Sequence, residues 1–308
     1  MFKNPILLLT YKRPKTTKII IRKILTIKPK KLYIFQDGPK KEFSSSDSFQ
    51  HKETLELINK IKNTSKRTKI FFYSFKKNIG QRFIANKVLN IVFKKEKEII
   101  FLEDDTYPEL SFFSYCSLML KNFENDKNIY HISGCNLFYG LYKKKISKKK
   151  IFLSKYPQFW GWATWKNKWN KFYEAEISDW RKNKKKFLNL FQNHKDERRF
   201  FEFYVENNSK GKHIGWDIPW IYKLILKKKL TVISGTNSIK NIGFTSDPSG
   251  KGAQKFRNLK SSNLQFPLKI ENSITSNSTY DDFLYKSFYH RKNIAVRIRD
   301  KIKKILKN

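Results

Sequence analysis

The chain has 308 residues, 39% of them apolar and 16% aromatic, which is enough to bury a sizeable core and too much for a disordered polypeptide. It carries 66 Lys and Arg against 26 Asp and Glu, a formal charge of +40, which points towards polyanions: nucleic acid, an anionic membrane face or phosphorylated substrates. Two cysteines, Cys116 and Cys135, exclude a disulfide framework and suit a reducing compartment, and the apolar runs at 5–9 and 99–102 are too short for a membrane span or a signal peptide.

Residues 5–10 read as a buried strand, stopped by Tyr11-Lys12-Arg13-Pro14. A helix follows over 16–27, with Ile20, Ile24 and Ile27 at helical spacing. Residues 32–35 form the next strand, closed by the turn Gln36-Asp37-Gly38-Pro39, and 40–48 read as a polar loop. Helices are predicted over 52–61 and 81–93, with strands at 69–75 and 98–102. Glu103-Asp104-Asp105 follows the last of these strands at once. Beyond it the alternation weakens. Residues 110–123 look helical, 128–133 extended, and 143–150 form a basic loop. Residues 157–169 are dense in tryptophan, 180–208 mostly helical and 230–234 a strand. Residues 242–254 are a Gly- and Ser-rich loop, 260–278 are irregular, and a basic helix ends the chain.

Strand–helix alternation repeated four times predicts an α/β fold: a mostly parallel central sheet flanked by helices, with right-handed crossovers. Ligands of such sheets sit outside the carboxyl ends of the strands, where Arg13, Asp37 and the acidic triplet fall. Three acidic residues in a row repel one another, and a divalent cation with oxygen ligands is the simplest compensation. A solvated acidic loop that caps the next helix is the plainer alternative. Asp217 lies in Gly215-Trp216-Asp217-Ile218-Pro219-Trp220. An apolar setting raises the pKa of a carboxylic acid and suits a general base near neutrality, while Pro219 equally suits Asp217 as a helix cap. The histidines show no metal-ligand spacing, and neither cysteine sits in a catalytic motif.

Eight stretches in order give the chain a resemblance. They are Pro5-Ile6-Leu7-Leu8-Leu9-Thr10-Tyr11-Lys12-Arg13-Pro14, Phe35-Gln36-Asp37-Gly38-Pro39, Asn78-Ile79-Gly80, Leu102-Glu103-Asp104-Asp105, Ile132-Ser133-Gly134, Trp160-Gly161-Trp162-Ala163-Thr164-Trp165, Trp216-Asp217 and Asn241-Ile242-Gly243-Phe244. In these the chain resembles nucleotide-sugar glycosyltransferases of the GT-A (Rossmann-like) fold. It is similar to bacterial family-2-like sugar transferases and, more distantly, to the N-acetylglucosaminyltransferase that begins complex N-glycan branching. The resemblance implies a catalytic domain over 1–258, followed by a polar segment and a basic amphipathic C-terminal helix over 259–308. It implies a metal-dependent, inverting hexosyl- or N-acetylhexosaminyltransferase. The donor would be a nucleotide-diphospho-sugar, UDP-linked, and the acceptor a hydroxyl of a glycan or lipid-linked glycan in surface polysaccharide or lipopolysaccharide synthesis.

The resemblance also implies roles for single residues. Asp105 would ligate Mn2+ or Mg2+, the triplet matching a DxD motif. Arg13 would contact the donor diphosphate and Asp37 the uracil edge, with Glu103 and Asp104 near the ribose and sugar. Thr10 and Gly80 would belong to the same donor site, and Gly161 would lie near the donor sugar or the acceptor. Asp217 would deprotonate the acceptor hydroxyl. Residues 245–254 resemble a lid over the donor, with Lys251 and Lys255 within reach of phosphate.

Charge supports a rival reading: a basic nucleic-acid-binding or membrane-surface protein without transferase activity. Carboxylates at strand ends are poorly placed for nucleic acid, and a chain rich in Lys, Ile, Asn and Phe also has the composition of A/T-rich coding drift. In 294–306, Ile294, Ile298, Ile302, Ile305 and Leu306 share one helical face, with Arg and Lys mostly on the other. That pattern suits an anionic membrane surface, and equally packing on the catalytic domain. The expected location is therefore cytoplasmic, with peripheral attachment to the inner face of the plasma membrane.

Overall fold

The apolar runs of the first half become strands with helices between them. The computed structural model describes residues 1–139, 151–192, 194–212, 215–245, 256–268 and 278–287. In chain order the first elements are β1 (Ile6–Thr10), α1 (Pro14–Thr26), β2 (Lys31–Gln36), α2 (Ser45–Thr64), β3 (Lys69–Ser74), α3 (Ile84–Val92) and β4 (Glu98–Glu103). Next come β5 (Thr106–Pro108), α4 (Leu110–Asn122), β6 (Ile129–Ser133), β7 (Ile151–Ser154), β8 (Trp162–Trp165), α5 (Lys166–Phe172) and α6 (Trp180–Asn189). The chain continues through α7 (Lys195–Ser209), α8 (Asp217–Leu226), β9 (Leu230–Ser234), β10 (Ile239–Asn241) and α9 (Ser278–Ser287).

The main sheet has the order β3-β2-β1-β4-β8-β6-β9-β7. β1, β2, β3 and β4 pair in parallel, β8 pairs antiparallel with both β4 and β6, β9 is parallel to β6, and β7 is antiparallel to β9. Only β7 and β8 therefore run against the other strands, and the expected mostly parallel sheet flanked by helices is present. Strand residues alternate between its faces. Ile6, Leu8, Ile100 and Leu102 meet Ile20 and Ile24 of α1 and Phe112 and Cys116 of α4 on one face. Leu7, Phe35 and Phe101 meet Val88 and Leu89 of α3 and Trp220 of α8 on the other. Both cysteines are free and buried, and burial pushes their thiols up.

Helix boundaries follow local chemistry. Pro14 occupies the first turn of α1, where a missing N–H costs nothing. α2 begins at Ser45, inside the expected polar loop, because the Ser44 side chain accepts the Asp47 N–H at 3.1 Å and caps it. The helical stretch expected over 180–208 is broken into α6 and α7.

A third apolar cluster lies under α6, α7, α8 and α9. Leu259, Tyr280 and Leu284 belong to it, and Leu264 and Leu268 belong to the first core. The segment beyond residue 258 is thus built into the same cores as far as it is described. Asp281 fastens α9 by accepting the Ser154 hydroxyl at 2.5 Å and the Lys155 N–H at 3.3 Å. Among the described residues no helix is long and apolar enough to cross a membrane. The basic loop at 143–150, the lid from 246 to 254 with Lys251, Lys255, and the basic helix expected over 294–306 lie outside the described residues.

Candidate active site

Register brings the expected residues to one edge of the sheet. Leu9 is paired with Glu103 and Thr10 with Gln36, so the carboxyl ends of β1, β2 and β4 stand side by side. Arg13 leaves the loop after β1 and crosses to the triplet. Its Nη1 donates to Asp105 Oδ2 at 2.8 Å and to Asp104 Oδ1 at 3.3 Å. The Tyr11 N–H donates to the other oxygen of Asp104 at 3.1 Å. Burial and the Asp105 charge push Asp104 up, and Arg13 draws it back down. Glu103 is pushed up by burial and by both aspartates.

The triplet is held from behind by a small ribbon. β10 pairs antiparallel with β5, which places Ile242 and Gly243 against Asp105. The Ile242 N–H donates to the Asp105 carbonyl at 2.8 Å. A Cβ on Gly243 would stand 2.5 Å from Asp105 Oδ2, so only glycine lets the backbone come this close. Thr106 closes the turn, its hydroxyl accepting the Glu103 N–H and donating to the Glu103 carbonyl, each at 2.9 Å.

Asp37 binds a neighbouring loop. Its Oδ1 accepts the N–H groups of Gly38 and Ile79 at 2.8 and 2.7 Å, and its Oδ2 accepts Asn78 Nδ2 and the Gly80 N–H at 3.1 Å each. Those four bonds use the usual acceptor capacity of a carboxylate. Gly80 sits at φ +82, a left-handed conformation, and its carbonyl starts α3 by accepting the N–H groups of Phe83 and Ile84. Beside Asp37, the Tyr11 ring packs against Phe43 and His51, with ring centroids 5.6 and 6.0 Å away. His51 Nε2 lies 2.8 Å from the Asp37 carbonyl. Neither Phe43 nor His51 stands out in the sequence, because each sits alone in a polar stretch.

Thr10 and Gly161 are placed by packing. Thr10 is buried, and its hydroxyl donates to the Phe35 carbonyl at 3.1 Å, tying β1 to β2. Gly161 has φ +62, its carbonyl accepts the Gly134 N–H at 2.8 Å, and a Cβ there would lie 2.5 Å from Ile239 Cδ1. The tryptophans around Gly161 are largely core, as a dense aromatic cluster usually is: Trp162 stacks on Phe101 and Trp216 with ring centroids 5.1 and 5.6 Å apart.

Asp217 opens α8, and its Oδ1 accepts the Ile218 N–H at 3.0 Å. Its charge contributes to the upward push on both Glu103 and Tyr173, which brings the second acidic element of the sequence to the triplet. The Trp216 ring packs against Phe101 of β4 with centroids 5.7 Å apart, and the Trp216 carbonyl accepts the Tyr173 hydroxyl at 3.0 Å. Sequence reasoning passed over Tyr173, which has no motif around it.

Among the described residues no three His, Cys, Asp or Glu side chains form a set that could hold a metal ion. The triplet instead offers two adjacent carboxylates bridged by a guanidinium. Asp105 Oδ1 is buried with no hydrogen-bond donor among the described residues, which is the state of an oxygen suited to a cation.

No family model matches the chain, and no curated protein matches it. Among solved structures it is similar to HddC from Yersinia pseudotuberculosis, with 9% identity over 57% of this chain and 83% of that one at a TM-score of 0.33. It is similar to mouse xyloside xylosyltransferase 1 in its apo form, with 9% identity over 72% of this chain and 81% of that one at a TM-score of 0.36. It is also similar to the glycosyltransferase GlyE of Streptococcus pneumoniae TIGR4, with 12% identity over 63% of this chain and 40% of that one at a TM-score of 0.32.

Proposed function

We propose that the chain is an inverting nucleotide-sugar glycosyltransferase, moving a sugar from a UDP-linked donor to a hydroxyl of a glycan or lipid-linked glycan. One observation carries the reading. Arg13 bridges Asp104 and Asp105 at the carboxyl edge of a mostly parallel sheet, with Asp217 in electrostatic reach of the same triplet. A cation clamped on two carboxylates is a site built for an anionic ligand and its counter-ion.

In this reading the donor diphosphate draws Arg13 away from the aspartates, exchanging carboxylate partners for phosphate oxygens. Asp105, with Asp104 beside it, would hold Mn2+ or Mg2+, which when bound supplies neutralising charge for the departing diphosphate. Two adjacent carboxylates, one with a buried oxygen that has no donor among the described residues, would suit such an ion. The loop that Asp37 clasps, with Tyr11 and His51 beside it, frames the nucleobase. Asp217 takes the proton of the acceptor hydroxyl as its oxygen bonds to the anomeric carbon and the bond from that carbon to the diphosphate oxygen breaks. UDP leaves from the opposite face, so the configuration inverts. Surface polysaccharide or lipopolysaccharide synthesis is the setting that fits such an acceptor.

The test is thermal stabilisation by UDP with Mn2+, with and without a chelator, followed by a screen of nucleotide sugars for hydrolysis. Stabilisation that needs both UDP and metal supports the reading. No nucleotide effect, together with salt-sensitive binding to DNA, would favour the nucleic-acid alternative.

A further inference from the structure

Arg82 lies in the turn that the Gly80 carbonyl closes on Phe83 and Ile84, two residues after the Gly80 N–H that Asp37 accepts. Its guanidinium reaches the far end of α7. Nη2 donates to the Asn208 carbonyl at 3.1 Å, which also accepts the Gly211 N–H at 2.9 Å. That carbonyl belongs to the last turn of the helix, where intrahelical donors run out and a cation is favoured. Gly211 has φ +72, and a Cβ there would stand 2.9 Å from Arg82 Nη1, so the chain leaves α7 directly against the guanidinium. The Phe83 ring supports it from another side, with Cζ 5.1 Å from the ring centroid. Asn208 is fully buried, and its Nδ2 donates to the Gly215 carbonyl at 3.0 Å. Asp217, two residues further on, opens α8. Hydrogen bonds therefore run from the Asp37 carboxylate through the Gly80 turn, Arg82 and Asn208 to Gly215.

We propose that Arg82 is a positioning residue: by tying the turn clasped by Asp37 to Asn208, it fixes Gly215 and with it the first turn of α8, which carries Asp217. The proposal rests on the transferase reading for its catalytic consequence. The brace between the start of α3 and the start of α8 stands apart from that reading. Packing alone does not replace it. Ile84, Val88 and Leu89 of α3 share one core with Trp216 and Trp220, but apolar contact is non-directional and leaves the register of Gly215 against α7 open. Arginine suits the task because its planar fork sets one nitrogen on the carbonyl while the other faces Gly211. A general base displaced by about 1 Å loses roughly a hundredfold in rate, so a modest slackening of this brace has a large kinetic effect.

The test uses Arg82→Met, Arg82→Lys, Gly211→Ala and Asn208→Leu in the full chain. Turnover and donor KM are measured alongside hydrogen exchange of the amides at 215–221. Arg82→Met and Asn208→Leu should each lower kcat by about 10- to 100-fold with donor KM little changed, and should speed exchange at the start of α8. Arg82→Lys keeps a cation that donates to one carbonyl and should recover several-fold of that loss. Gly211→Ala leaves Arg82 in place but pushes its guanidinium aside, and should speed the same amides even if the buried Asn208→Leu fails to fold. The double variant Arg82→Met/Asn208→Leu should match the poorer single variant within about twofold, since both break one chain of bonds. A rise in donor KM equal to the fall in kcat/KM in Arg82→Met would make Arg82 a donor ligand and overturn the proposal. Exchange at 215–221 that is unchanged in Arg82→Met and Gly211→Ala, or that speeds no more than in the rest of the chain, would overturn it whatever the activity. A wild-type chain that turns over no nucleotide sugar defeats the transferase reading instead, and the exchange data still decide the brace.

Discussion

Arg13, Asp104 and Asp105 share one small space, so what binds there must compete with what already does. Asp105→Ala removes the carboxylate whose Oδ1 lacks a donor and leaves the backbone bond to Ile242 in place. The fold should survive, with metal-dependent stabilisation by UDP lost. A variant that keeps metal-stimulated transfer at the wild-type rate would show the ion elsewhere. Asp217→Asn keeps the oxygen that accepts the Ile218 N–H but cannot take a proton. It should lower kcat by about two to four orders of magnitude with donor affinity nearly intact, the scale of a lost general base. Near-normal turnover would leave Asp217 as a cap. At this scale the sequence indicates which side chains gather at the edge better than what each does there. Thr10 and Gly161 sit in matching stretches, yet Thr10 ties β1 to β2 and Gly161 admits Ile239. A motif preserves residues that shape the backbone together with residues that touch a ligand, and spacing alone does not separate the two.

Elements were legible where burial on both faces writes an apolar run and a helix follows it. β1, β2, β3 and β4 with α1 and α3 fall close to their expected places for that reason. β7, β8 and β10 are three or four residues long and extend no pattern far enough to be read. β8 is buried throughout, with Trp162 on one face and Ala163 and Trp165 on the other, so it shows no alternation. Its identity comes from strands β4 and β6, which are distant in sequence. β10 matters most to the site, because its pairing with β5 carries Gly243 up to Asp105. Gly243→Ala would place a methyl 2.5 Å from Asp105 Oδ2 and 2.8 Å from its Cβ. Overpacking of this kind costs about 1–3 kcal/mol. Denaturant unfolding should show that loss, and Mn2+ should bind more weakly in the presence of UDP because the carboxylate must move. Wild-type stability together with wild-type metal affinity would show that the ribbon yields freely.

Trp162, Trp169, Trp216 and Trp220 gather in the core of one face of the sheet, and the buried His131 lies against them. The imidazole stacks on Trp162 at 5.0 Å and 13°. Its Nε2 lies 2.9 Å from the Gln158 carbonyl, and its Nδ1 accepts the Trp220 indole N–H at 3.3 Å. That pattern requires the neutral tautomer with hydrogen on Nε2, since a proton on Nδ1 would face another donor. Burial pushes the pKa of His131 down from the usual 6.5 to about 3. Between those values the unfolded chain binds a proton that the folded chain refuses, so stability is full above pH 6.5 and falls as the pH drops towards 3. The loss approaches about 1.4 kcal/mol per pH unit, or about 2 kcal/mol by pH 5. The raised carboxylates Glu103, Asp104 and Asp281 take up protons on folding over part of the same range and oppose it, so the wild-type curve alone does not isolate the histidine. Comparison with His131→Phe does. The variant leaves the Trp220 N–H without its acceptor and should be less stable at pH 7 by about 1–3 kcal/mol. Because it has nothing to protonate, its deficit should shrink and then reverse as both proteins are unfolded in urea at successively lower pH. A deficit that stays constant from pH 7 to pH 5 would mean that His131 titrates alike in the folded and unfolded chain, and that the tryptophan cluster does not hold it neutral.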